Sequence, residues 1–173
     1  MTMNRTPWIV IAVVVVLAGI ALLAVRFGDD AAPAFRLERL SGGRFYLREH
    51  HGKCVVLLFW STTCAPCKRE MRFLEALRRD LADERLVIAA ICVDADTHDQ
   101  ARNVTEPLGL DYPILLDRGG QVARAWHAKT LPTTVIVDPQ GRTAWRREGY
   151  DPAAGRLIRS QIERLLAGAE AAP

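Results

Sequence analysis

An apolar run that ends on two closely spaced cysteines constrains this chain more than any other stretch. Val55-Val56-Leu57-Leu58-Phe59-Trp60 carries no polar residue, the pattern of a strand buried on both faces of a parallel sheet. Cys64-Ala65-Pro66-Cys67 follows, and after it Met71, Leu74, Leu77 and Leu81 recur at helical spacing. The two thiols therefore stand where a strand gives way to a helix. A helix N-terminus offers unpaired N–H groups and the positive end of the dipole. Both favour thiolate at Cys64, read here as the more exposed of the pair. Cys67 is near enough to close a four-residue disulfide ring, and Pro66 suits a first turn that does not need its N–H. A lone Cys-x-x-Cys is otherwise half of a metal site, and tetrahedral zinc needs two more ligands. The sequence has no second Cys-x-x-Cys and no His-x-x-x-His. The pair is read as redox-active, with no metal and no cofactor.

Trp8 to Val25 is an uncharged apolar run of 18 residues, long enough to cross a bilayer core as a helix. A secretory signal has a shorter apolar core with a small-x-small cleavage site close behind it. Here Arg26-Phe27-Gly28-Asp29-Asp30 intervenes before Ala32-Pro33-Ala34, so the run is read as an uncleaved anchor. Arg5 and Arg26 flank it, and the positive-inside comparison is nearly tied. The short N-terminal flank and the thiol chemistry place the following domain outside the cytoplasm. The net charge is +3, of which those two arginines supply two. No basic run argues for nucleic acid. The expected organisation is an N-terminal flank (1–7), a transmembrane anchor (8–25), a linker (26–34), one α/β domain (35–167) and a short fraying tail (168–173).

Within the domain, Phe35 to Leu40 alternates as a half-buried strand, Ser41-Gly42-Gly43-Arg44 marks a turn, and Phe45-Tyr46-Leu47 returns. The strand Cys54–Trp60 is followed by a helix from Cys67 to about Ala82. Leu86 to Val93 reads as a second buried strand, with a helix after it through about Leu108. Tyr112 to Leu116 is a short segment, and 120–127 a short helix. Thr133 to Val137 is a third apolar strand, joined by the turn Pro139-Gln140-Gly141-Arg142 to an antiparallel return, Thr143 to Glu148. Asp151-Pro152 caps a closing helix running to about Leu166. The alternation calls for helices packed on a mixed sheet.

At this point the segment from Phe59 to Lys68 resembles the thioredoxin active site. Leu131-Pro132-Thr133-Thr134 resembles the segment of that fold whose cis proline lies beside the disulfide. Gly52-Lys53, Glu70 and the N-terminal anchor narrow the likeness to membrane-anchored bacterial thioredoxin-like reductases of the TlpA/ResA type, over roughly 35–167. The resemblance implies a thioredoxin fold with an N-terminal β-hairpin extension. It implies an inner-membrane protein with its catalytic domain on the periplasmic side. A transmembrane electron donor of the DsbD/CcdA type would reset it, and its substrates would be disulfides of apocytochrome c or of copper-site assembly proteins. Three departures stand out. The buried aspartate of cytoplasmic thioredoxins is replaced by Leu58, and the tryptophan before the first cysteine by Thr63. Thr130-Leu131-Pro132-Thr133 replaces the Gly-Ala-Pro-Glu type segment of the CcmG branch.

Substrate contacts are expected from Trp60, Thr63, Ala65, Pro66, Leu131 and Pro132. Trp60 fits equally a place beside the disulfide and a plain core position. A cis bond at Pro132 would leave the Leu131 backbone free to pair with an extended peptide. Glu70 lies one turn after Cys67, on the same helix face. It is either a surface carboxylate helped by the dipole or, as the resemblance implies, the catalytic group that takes the Cys67 proton. The four histidines lack ligand spacing and are read as surface. Copper chaperones of the Sco type space their cysteines by three residues, which disfavours that reading. Cys54 and Cys92, on parallel neighbours, would be offset by about six residues or roughly 20 Å. That is beyond disulfide reach, so both are read as buried inert thiols. The chain is thus expected to be a protein disulfide reductase working through Cys64 and Cys67. The alternatives are a disulfide-donating oxidase, or a non-catalytic metal-delivery or scaffold module on the same fold.

Overall fold

The apolar run Cys54–Trp60 forms β3, the middle of a seven-stranded mixed sheet in a computed structural model that describes residues 31–170. The other strands are β1 (Arg36–Arg39), β2 (Arg44–Tyr46), β4 (Leu86–Cys92), β5 (Ile114–Leu116), β6 (Thr133–Val137) and β7 (Thr143–Glu148), in the spatial order β2-β1-β5-β4-β3-β6-β7. β3 pairs parallel with β4 and antiparallel with β6. Every residue of β3 is at most 2 % exposed, as a strand covered on both faces requires.

Side-chain alternation splits β3 between two cores. Cys54, Val56, Leu58 and Trp60 pack with Cys67, Met71, Leu74 and Leu77 of α1 (Ala65–Leu81) and with Ile158 and Ile162 of α4 (Gly155–Glu170). Val55, Leu57 and Phe59 face the other side. They meet Phe45, Leu47 and Trp126, together with Ala123 of α3 (Gln121–Ala125). α2 (His98–Thr105) opens on a capping box in which the Thr97 hydroxyl accepts from Gln100 N–H and the Gln100 side chain accepts from Thr97 N–H.

The structure adjusts several expectations. The N-terminal hairpin extension is present, and it joins the main sheet because β1 pairs antiparallel with β5. α1 begins at Ala65, two residues before Cys67, and stops at Leu81 because Ala82 turns left-handed at φ 47°. α4 reaches Glu170, beyond the expected end. His50 is half-buried, its ring stacked on Phe45 at 4.5 Å. Burial, with Lys53 and Arg39 nearby, holds its pKa below the ordinary value. Cys54 and Cys92 are free and buried. Leu86 stands opposite Cys54 and Trp60 opposite Cys92, which is the expected six-residue offset. No helix among the described residues is long and apolar enough to cross a membrane. The run 8–25, and the boundaries drawn on it, lie outside those residues.

Candidate active site

β3 delivers the chain to the site and α1 carries it away. After Trp60, Cys64 N–H donates to Ser61 C=O at 3.1 Å, closing a tight turn. Cys64 is then the N-cap of α1, its backbone extended at φ −80°, ψ 96°. Its Sγ accepts from Cys67 N–H at 3.2 Å. Pro66 occupies the first turn and no acidic residue lies in it, so the dipole acts on Cys64 unopposed there. Cys64 and Cys67 are joined as a disulfide, with Cα atoms 5.3 Å apart. The two sulfurs differ in access: Cys64 is partly exposed and Cys67 is sealed at 0 %. A thiolate at Cys64 could meet an incoming disulfide, whereas Cys67 could meet only Cys64.

The register of β3 and β6 brings the second half of the site alongside. Phe59 pairs with Thr133, so the residues leaving β3 and those entering β6 share one end of the sheet. The Leu131–Pro132 peptide is cis. Pro132 is buried, and its carbonyl accepts from Gly149 N–H at 2.8 Å. Leu131 is half-buried and packs, like Cys64, against the core that contains Cys67. The Leu131 N–H and C=O make no hydrogen bond among the described residues, so both remain available to an extended peptide. Thr63 and Ala65 are exposed on either side of Cys64, and Pro66 is half-buried. Trp60 takes the core position. It is fully buried and offers no surface to a substrate.

Glu70 is not a surface carboxylate. It is 3 % exposed, on the α1 face that also buries Cys67, Met71 and Leu74. Thr134 Oγ1 donates to Glu70 Oε1, while Oε2 is buried without a partner among the described residues. Burial pushes the carboxyl above its ordinary 4.5, against the Thr134 hydrogen bond and the positive charge of Arg147. Thr134 is the cross-strand partner of Leu58, and Leu58 stands where cytoplasmic thioredoxins are expected to bury their aspartate. The carboxylate thus comes from the helix to the position that the strand leaves apolar.

Sequence reasoning missed Asp94, Thr134 and Arg147. Thr62 N–H donates to Asp94 Oδ1 at 2.9 Å, and Thr62 Oγ1 to Asp94 Oδ2 at 2.8 Å. The Cys92 thiol donates to Asp94 Oδ1 at 3.3 Å. Asp94 therefore pins the turn that presents Cys64. The signal lay in the pairing of β3 with β4: continuing the register beyond Trp60 and Cys92 sets Thr62 opposite Asp94. Thr134 and Arg147 are cross-strand partners, a placement that only the pairing of β6 with its neighbours supplies.

Residues 29–146 match the AhpC/TSA family. The thioredoxin-like protein YneN of Bacillus subtilis is 37 % identical over 136 residues, covering 78 % of this chain and 76 % of its own. The thiol-disulfide oxidoreductase ResA of Geobacillus kaustophilus is 34 % identical over 143 residues, covering 83 % and 78 %. Among solved structures, one described as a thiol:disulfide interchange protein DsbE from Chlorobium tepidum superposes with a TM-score of 0.74 at 26 % identity. It covers 79 % of this chain and 96 % of its own.

Proposed function

Because this chain belongs to the AhpC/TSA family and is a thioredoxin-like thiol–disulfide oxidoreductase, we propose that it works as a reductant of protein disulfides outside the cytoplasm, held to the bacterial inner membrane by residues 8–25. The observation that carries the direction is Glu70, a buried carboxylate one turn from Cys67. A thiol pair turns oxidising when its reduced form is stabilised as thiolate. A carboxylate beside the pair works against that, and so favours reduction of the partner.

In this reading the Cys64 thiolate attacks one sulfur of a substrate disulfide and expels the other as a thiolate, which takes a proton from solvent. Cys67 then passes its proton to Glu70, and its sulfur attacks Cys64 Sγ. The Cys64–Cys67 bond forms, the mixed disulfide breaks, and the second substrate sulfur leaves reduced. The substrate receives two electrons and the enzyme loses two. The exposed Thr63 and Ala65 and the free Leu131 backbone would hold the substrate chain as an added strand. Resetting requires a dithiol donor in the membrane, of the DsbD/CcdA class. The substrate class proposed is apocytochrome c or a copper-site assembly protein, on the strength of the likeness to ResA-type proteins.

Equilibration against glutathione and dithiothreitol tests the direction. The expected potential lies near or below the thioredoxin value of about −270 mV, and a value near about −120 mV would make the chain an oxidase instead. In parallel, Cys67→Ser is expected to accumulate mixed disulfides through Cys64, and Cys64→Ser to trap nothing. Equal trapping by both variants would reverse the assignment of the attacking thiol.

A further inference from the structure

Glu70 has a second neighbourhood, away from the disulfide. Leu58, Thr134 and Arg147 are aligned across β3, β6 and β7 by two consecutive cross-strand pairings. Residues paired this way share a face of the sheet. Glu70 reaches this row from α1, since Thr134 holds its Oε1. Beside the row lies a cavity of about 60 Å³ lined by Glu70, Phe73, Arg147, Tyr150, Gly155 and Ile158, among others. At ~30 Å³ per water that is room for about two molecules. Phe73, Arg147 and Tyr150 are each partly exposed, so the cavity runs from a buried carboxylate toward the surface. The Arg69 guanidinium lies 4.7 Å from the centre of the Tyr150 ring near its outer wall.

We propose that this cavity is the port through which Glu70 exchanges its proton with solvent, and that Arg147 is the positioning residue that lets Glu70 release that proton. The proposal rests on Glu70 being the base that serves Cys67. On the disulfide side Cys67 is sealed, and during resolution a substrate would cover Cys64, so a proton given to Glu70 needs another way out. A buried oxygen without a partner, a cavity of water size and a cation on its wall provide one. The proton taken from Cys67 S–H passes to Glu70 and from there to water in the cavity, and Arg147 stabilises the carboxylate left behind. The other polar and titratable groups that face Glu70 are Thr134 from β6, Tyr112 from the segment before β5, and Tyr150 and Asp151 from the segment before α4. The Tyr112 hydroxyl donates to Met71 C=O at 3.0 Å, and an Asp151 oxygen accepts from Ala153 N–H at 2.8 Å. Arg147 is the cation named by both the row and the cavity wall.

The test follows resolution in the full chain. Mixing the reduced protein with an aromatic disulfide whose thiolate is coloured separates capture at Cys64 from resolution by Cys67, and the resolving rate is recorded against pH. Arg147→Met should move the inflection of that profile to higher pH, and Arg147→Lys should bring it back. Arg147→Met should have no effect on the inflection once Glu70 is Gln, which a purely structural role would not predict. Filling the cavity by Ile158→Phe, or by Phe73→Trp should the first variant not fold, should slow resolution by about tenfold or more while capture is unchanged. If Glu70→Gln itself leaves the profile unmoved, the general-base reading falls and this proposal with it. If Glu70→Gln moves the profile but Arg147→Met does not, or the filled cavity resolves at the native rate, the port alone is overturned.

Discussion

Glu70 is buried with no salt-bridge partner among the described residues, which has a consequence for stability as well as chemistry. Its folded-state pKa lies above the ordinary 4.5, first because of burial. The folded protein therefore holds more protons than the unfolded chain between those two values. The stability this gives is fully present below the ordinary glutamate value and is lost as pH rises through the raised one. Glu70→Gln should match the wild type near pH 4 and exceed it at pH 8 in denaturant unfolding. The reverse ordering at pH 8 would mean that the ionised carboxylate is stabilised in the fold. Cys54 and Cys92 are buried acids shifted in the same direction as Glu70. Burial comes first among the causes pushing each thiol up to about 12, with Asp138 and Asp83 adding at Cys54 and Asp94 also touching Cys92. Both should resist alkylation in the native protein at pH 8. Changing both to Ala should leave the redox potential in place and cost roughly 1–3 kcal/mol of packing. Asp94 matters through Thr62. Asp94→Ala removes the acceptor of three geometric contacts to that residue, which should cost about 1–2 kcal/mol and slow capture at Cys64 by about tenfold through a loosened turn. Unaltered capture kinetics in a folded Asp94→Ala protein would detach this carboxylate from the site.

At the scale of elements, α1 is pinned at both ends. Its N-terminus is the disulfide, and near its C-terminus the buried Glu75 collects Arg78 at 2.8 Å, Arg79 at 2.6 Å and the Asp111 N–H at 3.2 Å. The last contact ties the helix to the segment that leads into β5. Glu75→Ala should cost about 2 kcal/mol in chemical unfolding, with little effect on the redox potential, because the change lies about two turns beyond Cys67. A large shift in potential would show that the helix transmits strain to its first turn. The same helix marks how far a sequence can be read. The unbroken apolar run of β3 and the period-3.6 burial in α1 are local patterns, and Cys54–Trp60, Thr133–Val137 and Thr143–Glu148 fall where the sequence places them. α1 starts two residues before the periodicity places it, because Ala65 and Pro66 carry no periodic signal and the cap is a cysteine sulfur, not one of the usual capping oxygens. Glu70 illustrates the deeper limit. Spacing put it on the Cys67 face, but its burial depends on Thr134 arriving from a strand 64 residues away. Cross-strand partners are set by topology, and a single sequence carries no direct trace of them.

At the scale of the molecule, one continuous body holds everything the chemistry needs. The described residues from Ala32 onward cluster as a unit that contains the whole sheet, both cores and the disulfide. Its first residue is Ala32, whose N–H donates to Gly141 C=O at 2.9 Å and so anchors the start of this unit beside the β6–β7 turn. A chain beginning at Ala32 should therefore fold, and should reduce a small disulfide in solution at the rate of the full-length protein. The proposed role of residues 8–25 is of another kind. Tethering converts the encounter with a membrane-bound donor into a nearly intramolecular one, with an effective concentration that reaches the millimolar range for short links. A free domain at micromolar concentration would meet that donor on the order of a thousandfold less often. In cells, the shortened chain directed to the periplasm should then accumulate with Cys64 and Cys67 oxidised, whereas the tethered protein stays reduced. Trapping thiols by acid quench and alkylation reads the two states directly. Equal reduction of both forms at equal abundance would show that the donor finds the domain without help from the membrane, and would leave the apolar run with no part in the redox cycle.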